Sequence, residues 1–227
     1  MRKIALIAFI IILPLVTFCQ RSVHYKRVEQ KIKTVLVLAP VSEVFVIKLG
    51  NDLEKDSAHS ITAYRNMANQ LQKSIPKYVN KYYFKSDSVT RSTIIKLVID
   101  ANNRIGNNNQ AGRYRLPDSI VKLFDTASYS YVLCTYNGGF IRDRKNLVNQ
   151  HLGNQVMDFL IGFGSKPLAS ASTVSCFVID LKQKNLAYFQ RIISVNENLL
   201  ETKAMINDLK KIIDTVFVEE ETTPITQ

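Results

Sequence analysis

The chain has 227 residues and an ordinary apolar content of 46%, enough for one hydrophobic core and a single globular domain. Its 30 Lys and Arg against 19 Asp and Glu give a net charge of +11, a balance that ordinarily raises nucleic-acid binding. Here the basic residues are spread out, with Arg142-Asp143-Arg144-Lys145 the densest set, and none interleaves with aromatics as a stacking platform requires. Together with the export signal described next, this excludes nucleic acid as the partner.

Arg2 and Lys3 precede an uncharged apolar run from Ile4 to Val16, followed by Thr17-Phe18-Cys19-Gln20, the layout of a secretory signal peptide. Three fates are open to this leader. Cleavage after Cys19 leaves Gln20 first; lipidation of Cys19 tethers the protein, although Phe18 stands where a lipobox has a small residue; and an uncleaved anchor needs roughly 17 to 25 apolar residues. Pro14, and Arg21, Lys26 and Arg27 just beyond the run, count against the anchor. All three place the folded part outside the cytoplasm, in the periplasm or associated with the outer membrane. Residues 1–19 are thus read as leader, 20–32 as a polar linker, 33–218 as one α/β domain and 219–227 as a flexible acidic tail.

In chain order, Thr34 to Val41 is a nearly continuous apolar run ended around Pro40, which predicts a strand buried on both faces. Glu43 to Leu49 predicts a second, alternating strand. Ile61, Tyr64, Ala68, Leu71 and Ile75 recur at steps of three and four, predicting a helix from about Ala58, capped by Asp56 or Ser57 and stopped by Pro76. A short strand is expected within Tyr78 to Phe84, and a helix from Ser88 to about Asn103 on Ile94, Leu97, Val98 and Ala101. The Asn-rich stretch Asn102 to Gln110, around Gly106 and Gly112, reads as a loop. Leu116-Pro117-Asp118 opens another helix running to Phe124, with proline in its first turn.

Tyr129 to Tyr136, apolar on both faces, predicts a central strand, with Gly138-Gly139 as a turn after it. Lys145 to Phe163 carries Leu147, Val148, His151, Leu152, Val156, Leu160 and Ile161 at amphipathic spacing. Val174 to Leu181 and Leu186 to Ser194 predict a hairpin across Lys182 to Asn185, and Glu197 to Val218 a last helix on Leu199, Ile206, Leu209, Ile213 and Val216. The fold class read from this order is α/β (α+β): a single mixed β-sheet flanked by helices, with a late β-hairpin and a C-terminal helix.

The chemistry-bearing residues are sparse. His24, His59 and His151 stand alone, no Ser-His-Asp or Cys-His set can be named, and Asp100, Asp118, Asp125, Asp158 and Asp180 form no pattern peculiar to a glycosidase. Gly138-Gly139 and Gly162-x-Gly164 lack the residues that make a phosphate loop. Beyond the leader, Cys134 and Cys176 lie in apolar strand-like runs and read as two buried thiols in preference to a bridge. No catalytic, cofactor-binding or metal-ligating residue is therefore assigned, and no cofactor is expected. The segment from Lys145 to Phe163 has two readings, a face covering the sheet or a surface for a partner or membrane. In the second, Arg142, Arg144 and Lys145 face anionic headgroups while Val156 and Leu160 make the apolar contact.

The leader, the strand Lys33-Thr34-Val35-Leu36-Val37-Leu38-Ala39-Pro40, the helix closing on Ser74-Ile75-Pro76-Lys77-Tyr78, and the stretch Ser128-Tyr129-Ser130-Tyr131-Val132-Leu133 form one ordered set. The hairpin Phe177-Val178-Ile179-Asp180-Leu181-Lys182 to Leu186-Ala187-Tyr188-Phe189 completes it. This order resembles the α/β domain shared by the curli secretion-channel lipoprotein, the outer-membrane lipoprotein activators of penicillin-binding proteins and the amino-terminal domain of the Tol-system propeller protein. The likeness runs roughly from Lys33 to Phe217. Such hairpins often have Thr-Gly at the turn and a tryptophan in the returning strand, whereas this chain has Gln183-Lys184-Asn185 and Tyr188-Phe189.

The resemblance implies a non-enzymatic, exported cell-envelope protein acting as an interaction or assembly module. Its partner would be an envelope protein complex, with a membrane surface or a lipid anchor on Cys19 as further contacts, and with oligomeric state open. The competing expectation, from compartment and basic charge alone, is an exported hydrolase acting on cell wall or polysaccharide.

Overall fold

The structure is a computed structural model that describes residues 21–26, 32–49, 51–84, 87–108, 113–124, 128–146, 148, 168–195 and 202–217. Its strands are β1 (Arg21–Lys26), β2 (Thr34–Val37), β3 (Val41–Ile47), β4 (Leu53–Lys55), β5 (Asn80–Tyr83), β6 (Tyr131–Arg142), β7 (Ser170–Asp180) and β8 (Asn185–Val195). Helices α1 (Ser57–Ser74), α2 (Ser88–Asn108), α3 (Asp118–Val121) and α4 (Thr202–Val216) are described with them. The strands form one mixed sheet in the order β1-β8-β7-β6-β2-β5, as the fold-class reading expects.

Beside β6, the neighbouring position is shared by two strands in succession. Leu36 and Val37 of β2 pair in parallel with Val132 and Leu133, and after the Leu38-Ala39-Pro40 break β3 pairs from Val41↔Tyr136 to Ile47↔Arg142. Pro40 supplies the break because it brings no N–H to a ladder. β5 then pairs with β2 and β4 with β3, while β6, β7, β8 and β1 form an antiparallel run.

Strand alternation divides the core in two. On one face Leu36, Val132, Phe177, Ile179 and Phe189 meet Ile94, Leu97, Val98, Ala101 and Ile105 of α2 and Ile120 and Val121 of α3. On the other, Val35, Val37, Leu133, Cys176 and Val178 meet Met67 and Leu71 of α1 and Leu209, Ile212 and Ile213 of α4. Where Val178↔Tyr188 gives way to Ile179↔Leu186 the register slips by one, leaving Ala187 as a bulge, so Ala187 and Tyr188 both serve the α1/α4 face.

Turn chemistry closes the late hairpin as expected. The Asp180 carboxylate accepts from the N–H groups of Lys182 (2.9 Å) and Gln183 (3.0 Å), and Lys184 adopts left-handed φ of 52°. The Lys184 carbonyl accepts from Leu116 N–H at 2.8 Å, anchoring the turn to the segment before α3.

Several expectations are corrected. Arg21–Lys26, read as part of a polar linker, form the edge strand β1 against β8. The buried face of α1 is Ser60, Ala63, Met67 and Leu71, and Ile61 is 51% exposed. Small residues let this helix approach β3, where Ser60 Oγ accepts from Val44 N–H at 2.9 Å and donates to the Asp56 carbonyl. α2 continues through the supposed asparagine loop to Asn108, because Asn102 and Ile105 are buried on its sheet-facing side. α3 is a single turn after Pro117, and Gly138-Gly139 lie inside β6 instead of ending it.

The two thiols are buried and free, on opposite sides of the sheet: Cys134 pairs with Phe177 and packs toward α2, while Cys176 pairs with Thr135 and packs toward α4. Side chains that point to opposite faces of adjacent strands cannot meet in a bridge. Among the described residues no helix is long and apolar enough to cross a membrane.

Candidate functional site

β6, β7 and β8 run 12, 11 and 11 residues, so they outreach the α2 core that covers one of their faces. Beyond Ala101 the face opens into a groove of about 380 Å³ lined by Phe45, Leu53, Asn102, Asn103, Tyr136, Gly138, Gly139, Phe140, Thr173, Arg191 and Ile193. Register explains this set. Tyr136, Gly138 and Phe140 point the same way along β6; Thr173 lies opposite Gly138, and Ile193 opposite Thr173.

The floor is polar. Arg191 is only 6% exposed, donates to the Asn102 carbonyl and lies over the Phe189 ring at 5.9 Å. Asn102 Oδ1 accepts from Ser175 Oγ at 2.7 Å, and Ser175 is the register partner of Arg191. One helix and two strands are thereby tied at the groove's inner end. Burial pushes the Tyr136 phenol up to about 12, the Glu43 charge adds to this and Arg191 opposes it, so at neutral pH the hydroxyl keeps its proton. The Tyr136 ring lies over Gly138, where a Cβ would overlap the ring and hydroxyl and the side chain would have to shift.

A second hollow of about 560 Å³ follows the same helix toward its start, between Glu43 and Lys55 on the strands, Asp87 just before α2, and Ser88, Arg91, Ser92 and Lys96 on α2. Its charges are of both signs. Lys55 Nζ stands 2.7 Å from Glu43, and Asp87 caps α2 by accepting from Thr90 N–H at 2.7 Å, a bond that holds its carboxyl below the usual range. Such mixed, solvent-facing charge orients a polar ligand weakly.

His59 Nδ1 lies 2.7 Å from Asp56 Oδ2, but Asp56 Oδ1 also accepts from His59 N–H at 2.9 Å, so the pair forms the cap of α1. Desolvation raises both thiols, Cys134 and Cys176, well above the ordinary range, which keeps them neutral and inert. Among the described residues no three His, Cys, Asp or Glu side chains are grouped as a metal site requires.

Of the residues singled out in the sequence, Cys19, His151, Val156 and Leu160 lie outside the described residues, as does most of the Lys145 to Phe163 segment. Arg144 and Lys145 are exposed. Arg142 is a clasp at the end of β6: Nε donates to the Leu168 carbonyl (2.8 Å), and Nη1 to Asn146 Oδ1 (2.8 Å) and Asn51 Oδ1 (3.2 Å). Those bonds hold its guanidinium against protein oxygens. Arg191, Asn102 and Tyr136 were not identified from sequence. The available signal was a lone arginine in the apolar run Leu186 to Ile193, since a charge inside a buried strand is rare without a partner.

No protein-family description and no curated protein matches the chain. Among the solved structures that align with the chain are two of PelC. A PelC dodecamer from Paraburkholderia phytofirmans aligns with 89% of this chain and 100% of its own, at 9% identity and a TM-score of 0.41. A PelC variant dodecamer from the same organism, in another crystal form, aligns with 87% of this chain and 95% of its own, at 9% identity and a TM-score of 0.38.

Proposed function

We propose that the chain is an exported, non-enzymatic cell-envelope protein that acts by contact, as an interaction or assembly module of the kind its resemblance to the envelope lipoprotein domains implies. The observation that carries this reading is the edge strand β5. It pairs with β2 on one side, and among the described strands none pairs with the other. Tyr82 is 48% and Tyr83 47% exposed along that edge, with Tyr82 stacked at a tilt on Tyr129 at 5.1 Å. An open ladder flanked by tyrosines offers main-chain hydrogen bonds for affinity and large, stiff side chains for selectivity.

The test is site-directed photo-crosslinking in the native envelope fraction, with the reactive group at Tyr83 and, as control, at Lys210 on the exposed side of α4. A discrete adduct from position 83 and none from position 210 supports a contact module. A monomer that forms no adduct and turns over wall polymer replaces it with an exported hydrolase. Intact mass of the native protein settles the leader: a diacyl increment on Cys19 means a tethered protein, whereas a chain starting at Gln20 without lipid means a diffusible one.

A further inference from the structure

We infer that the open edge of β5 takes an extended acidic segment of a partner protein, one whose side chains alternate between carboxylate and apolar. This rests on the reading of β5 as the contact edge and adds the sign and the spacing of what it contacts. The N–H groups of Asn80 and Phe84 donate to the carbonyls of Lys33 and Val37, so by strand alternation the backbone groups of Lys81 and Tyr83 point away from β2. A peptide strand matches that row, because it brings N–H and C=O groups at the same repeat.

The side chains supply the sign. Lys81 and Tyr83 lie opposite Val35 and Val37, on the α1/α4 side of the sheet, whereas Tyr82 lies opposite Leu36 and stacks on Tyr129 on the other side. Four lysines gather at the start of this edge. Lys33 holds Asn80 through its carbonyl, Lys73 stands in the last turn of α1, Lys77 joins α1 to β5, and Lys81 Nζ donates to the Gln72 carbonyl at 3.1 Å, beside Lys73. Lys48, Lys55, Lys184 and Lys211 all have carboxylate partners, but among the described residues none of these four stands in an ion pair. A strand added here sets its side chains directly beside those of β5, where opposite charges attract and like charges repel. Carboxylates therefore suit the lysine side and apolar residues the Tyr82 side. A second copy of the same edge would bring lysine against lysine, the arrangement by which edge strands avoid pairing with themselves.

Fluorescence anisotropy of the purified full chain with a labelled peptide of alternating glutamate and valine tests this, beside a lysine-valine peptide and a fully N-methylated glutamate-valine peptide. The acidic peptide is expected to bind about tenfold more tightly than the basic one, and N-methylation should abolish binding. Lys73→Glu/Lys77→Glu should weaken the acidic peptide about tenfold with Tm unchanged, and Tyr82→Ser about threefold. Equal affinity for the two charged peptides, undiminished binding after N-methylation, or no effect of Lys73→Glu/Lys77→Glu overturns the inference. So does tighter binding to a thymidine oligonucleotide or to phosphatidylglycerol vesicles than to the acidic peptide, or a Tyr83 adduct that joins two copies of this chain. In the envelope fraction, a Tyr83 adduct to another protein whose yield ignores Lys73→Glu/Lys77→Glu sinks the acidic partner and keeps the contact module. Absence of any adduct sinks the module, while the sign preference is read from the peptides, so the two fail separately.

Discussion

Strands β6, β7 and β8 pass through two environments along their length, and the contrast shows what converts a β-ladder into a core. In the inner half, Val132 to Cys134, Ser175 to Ile179 and Leu186 to Phe189 are buried, with α2 and α3 on one face and α1 and α4 on the other. In the outer half the same ladder carries Gly138, Gly139, Phe140, Ala171 and Thr173, and the α2-side face is a groove. Hydrogen-bond pairing is continuous across both, so it does not distinguish them. Helix coverage does: apolar side chains concentrate where a second layer removes them from water, and small or polar ones take their place where that layer stops.

The sharpest way to break this comparison is to truncate equivalent aromatics on the same face. Phe177→Ala should cost about 3–5 kcal/mol in urea unfolding, because a fully buried ring leaves a cavity, whereas half-buried Phe140→Ala should cost roughly 1 kcal/mol. Equal losses would mean that the outer half is as tightly packed as the inner. Next in size, Gly138→Ala should cost about 1–3 kcal/mol by displacing the Tyr136 ring, and most of that should vanish in a Tyr136→Ala background. Additive effects in the double-mutant cycle would show that the ring does not occupy that space.

The inner half also predicts an alkaline limb. Cys134 and Cys176 have folded values raised by burial, so the neutral thiols' contribution is fully present below the unfolded value near 8.5 and declines as pH rises above it. Stability should therefore fall between about pH 8.5 and 10, and Cys134→Ala/Cys176→Ala should flatten that slope while lowering stability at neutral pH. Oxidants should yield no intramolecular bridge in the native protein. The smallest effect belongs to the outer rim: Leu53→Asp should change stability by no more than about 0.5 kcal/mol, measured by thermal unfolding. A large loss would mean that Leu53 belongs to a packed core after all.

The inner half was legible in the chain because burial on both sides leaves unbroken apolar runs: Val35 to Leu38, Val132 to Cys134 and Phe177 to Ile179 declare their strands without a partner in view. The late hairpin announced itself in the same way, through Asp180 and a polar turn. On α1 the buried face matches the expectation at Leu71 and Ile75 but lies one position earlier over the preceding turns, since Ile61 fits the period yet Ser60 and Ala63 permit the close approach to β3. Asn102 shows the same limit: an asparagine cluster suits a loop by composition, yet Asn102 is held in α2 by Ser175 and Arg191, residues more than seventy positions away.

Local pattern therefore determined the leader reading, the fold class, most strand and helix positions and the burial of both thiols, because each follows from side-chain periodicity within a few residues. Only the tertiary structure decided that Cys134 and Cys176 face opposite ways, that Arg21–Lys26 complete the sheet, and that Arg142 clasps one end of it. It also decided the groove, since Arg191, Tyr136, Asn102 and Leu53 come from four elements. Their meeting depends on strand register and on where α2 runs out, and neither is a property of any one segment.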